Sequence, residues 1–258
     1  MNKESVNPAR SLYYGFLSKM LVFTTAADRY DGVREALDAM IANPLDTNSG
    51  EALKEIREFI DAHGYAGLVE EYDEIFHNPE RPVVRTTASF YHEGVESGRR
   101  LLEVRNFLAK TRIRRDENRY KEPEDSAGFL MTFMHELIEM EMAGEESAQN
   151  IAHCLFAEVI NPFLEDFLPN LYEHDRANAY ASLAVVAYAF LEFERIYFQV
   201  PRPRPRELPV EQEGTGCEFT ADLEAKRRES NRLKKVADSL VQSCSLEDAA
   251  PESGIEEV

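Results

Sequence analysis

The 258-residue sequence predicts an all-α protein, a single globular helical bundle of about nine to ten helices with a C-terminal extension. Three observations predict it. Apolar residues recur three and four apart over most of the first 200 positions, the period of a helix with one buried face. Asn-Pro pairs and glycines punctuate that pattern at short intervals. At Pro201 the composition changes to Pro-Arg-Pro-Arg-Pro-Arg, which suits an extended linker rather than a packed element.

Taken in order, Asn7-Pro8 predicts a helix start, and Leu12, Tyr13, Phe16, Leu17, Met20 and Leu21 carry one face to about Thr24. Arg29 to Met40 repeats the pattern with Val33 and Leu37. Glu51 to His63 places Leu53, Ile56, Phe59 and Ile60 on one side, Gly64 ends it, and Ala66 to Phe76 makes a further helix. Residues 81–98 are less regular. Val83, Val84, Thr86, Thr87 and Ser89-Phe90-Tyr91 favour extended backbone, so a loop lying over the helices is expected. Arg100 to Leu108 is helical, followed by a basic linker with Lys110, Arg112, Arg114, Arg115 and Arg119.

The stretch from Tyr120 to Leu137 comes next. Glu122, Pro123, Glu124 and Asp125 read as the acidic first turn of a helix, since proline there loses no needed N–H and carboxylates suit the positive end of the dipole. Phe129, Leu130, Phe133, Met134 and Leu137 continue it to Met142. Ser147 to Ile160 is another helix, Asn161-Pro162 restarts the chain, and Arg176 to Gln199 is long and apolar on most sides, hence central. The organisation read from this is a helical domain over 1–200, then a Pro/Arg linker, a charged helix at Phe219–Val241 and an acidic disordered tail over 201–258.

The net charge of −19 argues against nonspecific nucleic-acid binding and against an anionic membrane surface, while it would speed the encounter with a basic peptide. Three dispersed cysteines, Cys154, Cys217 and Cys244, make neither a disulfide framework nor a zinc site and fit a reducing compartment. No secretory h-region is visible, and the apolar stretch from Ala181 to Phe190 is too short to span a bilayer.

Catalytic motifs are scarce. His135-Glu136-Leu137-Ile138-Glu139 misses the zinc-protease pattern because Glu139 stands where the second imidazole belongs; a solvated helix face is the commoner meaning. There is no phosphate loop, no Gly-x-Ser-x-Gly and no facing Glu-x-x-His pair. Cys154 reads as a packed thiol. Glu122, Glu124 and Asp125 read either as a well-charged helix start or as an anionic site for arginine, which pairs bidentately with carboxylates. Tyr91, Glu93 and Glu96 face the same choice between a core edge and a binding anchor.

Glu122-Pro123-Glu124-Asp125 followed by Phe133-Met134 resembles the Glu-Pro-x-Asp-His…Phe-Met signature of the TorD/DmsD/NarJ redox-enzyme maturation chaperones. Ala9-Arg10-Ser11-Leu12-Tyr13-Tyr14, the Phe90-Tyr91…Glu96-Ser97 loop and the long Ala181–Glu194 helix fall where that family has corresponding features, so the resemblance covers roughly residues 9 to 200. Ser126 stands where the family has histidine, and Phe163 rather than tryptophan follows Pro162. The resemblance implies a cytoplasmic, non-catalytic TorD-like chaperone without a cofactor, as a monomer or homodimer. Its partner would be the apo catalytic subunit of a molybdenum- or tungsten-pterin oxidoreductase with its twin-arginine signal peptide. The peptide site it implies is Tyr91, Glu93, Glu96, Tyr120, Glu122, Pro123, Glu124, Asp125, Ser126 and Phe129. The alternatives from other classes are a metal-dependent helical enzyme using His135 and Glu139, and a non-catalytic assembly adaptor.

Overall fold

A computed structural model describes residues 3–24, 26–118 and 120–204; Arg119, Cys217, Cys244, the Phe219–Val241 helix and the acidic tail lie outside the described residues. The described chain is all-helical: α1 (Lys3–Leu21), α2 (Val33–Ala42), α3 (Thr47–Phe76), α4 (Ala88–Glu93), α5 (Arg99–Ala109), α6 (Ala127–Met142), α7 (Glu146–Leu155), a π-helical turn (Phe156–Ile160), α8 (Asn161–Tyr172) and α9 (Ala179–Phe198). The most extensive helix pairs are α1 on α6, α3 on α9 and α8 on α9. Between them lies one core containing Leu17, Met20, Leu53, Leu130, Phe133, Phe167, Leu183 and Val186.

Several boundaries differ from the sequence reading. Helix α1 begins at Lys3, with Pro8 inside it. Proline lacks an N–H only toward residue 4, so the break costs a single hydrogen bond within one turn of the end. The two helices expected on either side of Gly64 are present; they follow one another directly within α3, and the helix breaks at Gly64 as expected. Gly64 has φ 66° and ψ −173°, a conformation that glycine adopts without a Cβ clash. Asn161-Pro162 does not restart the chain. The preceding turn widens to i→i+5 bonding, with the Asn161 N–H reaching the Phe156 carbonyl. This moves the Glu158 carbonyl out of the way of the proline ring, so α7 runs through to α8.

Buried polar groups join the layers. Arg10 is fully buried and donates from Nε and Nη2 to the two carboxylate oxygens of Glu194 at 2.6 and 2.8 Å, tying α1 to α9. Tyr14 donates to the same carboxylate at 2.9 Å, and the Asn7 side chain accepts from Arg10 at 3.1 Å. The C-terminal carbonyls of α1 are satisfied by donors from outside it. Arg29 donates to Lys19 O (3.2 Å) and Met20 O (3.0 Å), Tyr180 to Met20 O (2.8 Å), and Tyr72 to Leu21 O (3.3 Å). Helix α9 starts on Glu71 of α3, whose carboxylate accepts from the backbone N–H groups of Asn178 (2.7 Å), Ala179 (3.2 Å) and Tyr180 (2.8 Å). Gly128 lets α6 meet the end of α1. A Cβ there would lie 2.4 Å from Val22 Cα and 2.7 Å from Leu21 O, against backbone that cannot rotate away.

Candidate functional site: the 86–129 corner

Residues 86–88 and 125–127 run antiparallel for one bridge. The Ala127 N–H donates to Thr86 O at 2.8 Å and the Ala88 N–H donates to Asp125 O at 2.9 Å. This pairing keeps Asp125 and Ser126 extended, so α6 begins at Ala127 rather than at Pro123. Glu122, Pro123, Glu124 and Asp125 therefore precede the helix instead of forming its first turn. Ser126 is the N-cap, with its hydroxyl accepting from the Phe129 N–H at 3.4 Å, and it is fully buried. The Pro123 carbonyl accepts from the Ser126 N–H at 3.1 Å.

Asp125 is also fully buried. Its Oδ2 accepts from the Ser89 N–H (2.9 Å) and from the Ser89 hydroxyl (2.5 Å), while Oδ1 has no hydrogen-bond partner. The same hydroxyl accepts from the Leu101 N–H at 3.2 Å, joining α4 to α5. Burial pushes the Asp125 carboxyl above the usual carboxylate range, against the Ser89 hydrogen bonds that pull it down; Glu96 adds to the rise. This carboxylate is what turns 88–93 into a helix where a loop is expected. It accepts the Ser89 N–H at the start of α4 while the Asp125 carbonyl accepts that of Ala88, and together these outweigh the extended preference of Ser89-Phe90-Tyr91.

The other carboxylates are engaged within the chain as well. Glu122 accepts from the Thr86 hydroxyl (2.8 Å) and the Phe23 N–H (3.2 Å), and burial raises its pKa over those favourable bonds. Glu124 meets Arg105 at 3.0 Å and Arg115 at 3.4 Å. The exposed Glu96 accepts from the Thr87 hydroxyl at 2.5 Å and lies 3.8 Å from Arg85. The exposed Glu93 accepts from the Arg99 N–H at 2.8 Å. Tyr91 packs on Phe163 and Phe167 of α8 at ring distances of 5.6 and 6.1 Å, and its burial raises the phenol pKa. Val95 and Leu102 are 51% and 59% exposed beside these acids.

Tyr120 and Phe129 meet edge to face at 6.0 Å and line a cavity of about 470 Å³ between the 112–120 segment and α6. Its floor adds Ile113, Phe133 and Met140; at its rim Asp116, Glu136 and Glu139 are exposed beside Arg112 and Arg114. Arg112 crosses to Glu145 at 2.6 Å. The structure thus brings Tyr120 and Phe129 to one cavity and gathers Glu122 to Ser126 under α4. It places Tyr91 on the α8 side. Phe133, Glu136 and Met140, which the sequence reading did not include with Tyr120 and Phe129, also line the cavity; they follow Phe129 at four, seven and eleven, along one helix face.

His135 and Glu139, the pair behind the metal-enzyme alternative, both converge on Ser11. The Ser11 hydroxyl donates to Glu139 Oε1 at 2.5 Å, and His135 Nδ1 lies 3.0 Å from both the hydroxyl and the Ser11 carbonyl. They brace α6 against α1. Among the described residues no group of three or more His, Cys, Asp or Glu could hold a metal ion, and no helix is long and apolar enough to cross a membrane.

This all-helical bundle can be compared with known proteins. The sequence model of the nitrate reductase delta subunit family matches residues 42–172, more than half of the 258, and the chain belongs to this family of redox-enzyme maturation chaperones, whose members are not catalysts. A solved chain from Archaeoglobus fulgidus, described as a candidate redox enzyme maturation protein, is 15% identical over 72% of this chain and 93% of its own, with a TM-score of 0.44. No curated protein matches.

Proposed function

We propose that this maturation chaperone acts in the cytoplasm on a molybdenum- or tungsten-pterin oxidoreductase of the formate dehydrogenase, nitrate reductase or S-/N-oxide reductase type. It binds the apo catalytic subunit through its signal peptide and delays twin-arginine export until the cofactor is inserted. The observation that carries this reading is the cavity beside Tyr120 and Phe129. Its apolar floor suits the h-region of a signal peptide. Asp116 and Glu136 at the rim, with Glu93 and Glu96 on the neighbouring segment, suit the arginines. In this arrangement Asp125 and Ser126 do not touch the peptide; they hold the hinge that shapes the cavity's neighbour, α4.

Calorimetry with a synthetic twin-arginine signal peptide tests the reading. Saturable binding is expected, weakened at least about tenfold by Glu136→Lys, or roughly 1.4 kcal/mol. Glu136 is exposed, so that variant leaves the fold intact by circular dichroism. No binding by the folded wild type, or equal affinity in Glu136→Lys and Tyr120→Ala, overturns it.

A further inference from the structure

Helices α1, α2 and α6 wall a cavity of about 350 Å³. Two ionisable side chains line it, Lys19 and His135, and no carboxylate does. In a chain with 48 acids against 29 lysines and arginines, that reverses the prevailing charge. The Tyr120 cavity, by comparison, carries three carboxylates beside its arginines. The volume is at the small end of ligand-sized clefts, about 300–1,000 Å³.

Both polar groups have hydrogen-bonding capacity left over. Lys19 donates to the Asp31 carbonyl, and among the described residues its ammonium meets no carboxylate. Two of its three N–H donors therefore remain. His135 Nδ1 lies 3.0 Å from the Ser11 carbonyl. A carbonyl only accepts, so this contact assigns a proton to Nδ1. The Ser11 hydroxyl, also 3.0 Å from Nδ1, is held in place by Glu139 at 2.5 Å. Nε2 has no hydrogen-bond partner among the described residues. Gly15 leaves the ring edge open: a Cβ there would stand 3.3 Å from Cε1 of His135, the atom next to Nε2. Between the two polar ends the walls include Leu12, Phe16 and Ala36. Ser11 and Lys19 are eight residues apart on α1, so the ends are separated by roughly 12 Å.

These features select one kind of ligand. A single ammonium balances one negative charge, and the two oxygens of a carboxylate match its two remaining donors. A phosphate dianion would bring a surplus charge. The middle of the cavity suits an apolar body, and Nε2 of the neutral ring accepts from a hydroxyl or an N–H. We propose that the cavity between α1, α2 and α6 binds a small monocarboxylate with an apolar, ring-sized body and a hydroxyl or N–H group at the end remote from the carboxylate. The carboxylate meets Lys19, the body lies on Leu12, Phe16 and Ala36, and the far group donates to His135 Nε2. The site is separate from the Tyr120 cavity and stands whether or not that cavity binds a signal peptide.

The test uses the full-length protein and 3-(4-hydroxyphenyl)propanoate, read by calorimetry. Saturable one-to-one binding is expected. The uncharged methyl ester should bind at least about tenfold more weakly, and 3-phenylpropanoate, which lacks the hydroxyl, also more weakly. Lys19→Met removes the ammonium and keeps the stem, and Ala36→Leu fills the middle of the cavity. Each should lower affinity at least about tenfold while thermal unfolding shows the variant folded. Tyr120→Ala should leave the binding in place. The proposal is overturned if folded wild type does not bind the probe at millimolar concentrations. It is overturned as well if the ester or 3-phenylpropanoate binds as tightly as the probe, or if a folded Lys19→Met or Ala36→Leu variant binds as wild type does. Displacement of the probe by an equal concentration of inorganic phosphate overturns it in favour of a general anion site. Loss of binding in Tyr120→Ala alone overturns it and assigns the probe to the Tyr120 cavity.

Discussion

Two helices of this protein begin on a carboxylate supplied from elsewhere in the chain. The Glu71 carboxylate receives the first N–H groups of α9, and the Asp125 carboxylate receives the Ser89 N–H at the start of α4. The chemistry is shared: backbone donors left over at a helix N-terminus meet an anion in a water-poor setting. The use made of each anion differs. Both oxygens of Glu71 are occupied, and the 20-residue helix it starts is central to the core. Asp125 uses one oxygen for Ser89 and leaves the other without a partner. The helix it starts has six residues, and the loop after it carries the exposed Val95. One cap locks the bundle. The other holds a short surface element against the end of α6, with a carboxylate whose burial is incompletely compensated.

That contrast can be broken in three ways. The largest effect should come from Glu71→Ala, which removes the partner of three N–H groups at the start of α9, those of Ala179 and Tyr180 being on buried residues. A loss of about 3–5 kcal/mol of global stability is expected from unsatisfied donors of this kind, read as a lower urea midpoint. An unchanged midpoint would show that the α9 cap is dispensable. Asp125→Ala should cost less, about 2–3 kcal/mol, and locally. Hydrogen exchange of the amides in 86–93 should accelerate more than that of the α9 amides; equal acceleration in both would erase the distinction between lock and hinge.

The smallest effect concerns pH. The folded-state pKa of Asp125 lies above its unfolded value, and that of Glu122 is raised likewise. Such a group contributes stability that is fully present below the unfolded carboxylate pKa and is lost as pH rises through the folded pKa. Wild-type stability should therefore fall, relative to Asp125→Asn, as pH rises from the usual carboxylate range toward neutrality. Parallel unfolding curves for the two proteins across that range would contradict the assignment of Asp125 as an under-compensated buried acid.

The two carboxylates also differ in how visible they are in the amino-acid sequence. Asp125 sits in a short motif, Glu-Pro-Glu-Asp, and can be singled out there. Glu71 is one of several acids in Glu70-Glu71-Tyr72-Asp73-Glu74, and nothing local marks it as the one that turns inward to a helix 107 residues later. Helix type and core faces were legible because periodicity is a local signal, and the core positions of α6 and α9 follow it. The start of α6 and the existence of α4 were not. Both depend on the pairing of Thr87 with Ser126, a contact between segments 39 residues apart that no window of sequence contains. The cavity was half legible. Tyr120 and Phe129 came from the motif's neighbourhood, whereas Ile113 joins them only because the linker folds back along α6.

The link between Arg10 and Glu194 spans 184 residues of chain. A ribosome adding about 5–20 residues per second needs roughly ten to forty seconds to make the second partner after the first. During that interval the Arg10 guanidinium lacks its Glu194 partner, and the apolar face of α1 has only α6 and the other earlier-made helices to pack against. The body of this chaperone therefore closes late, when α9 emerges. A protein that serves other unfinished chains must itself wait, nearly to the end of its helical domain, for its first helix to be completed by its last.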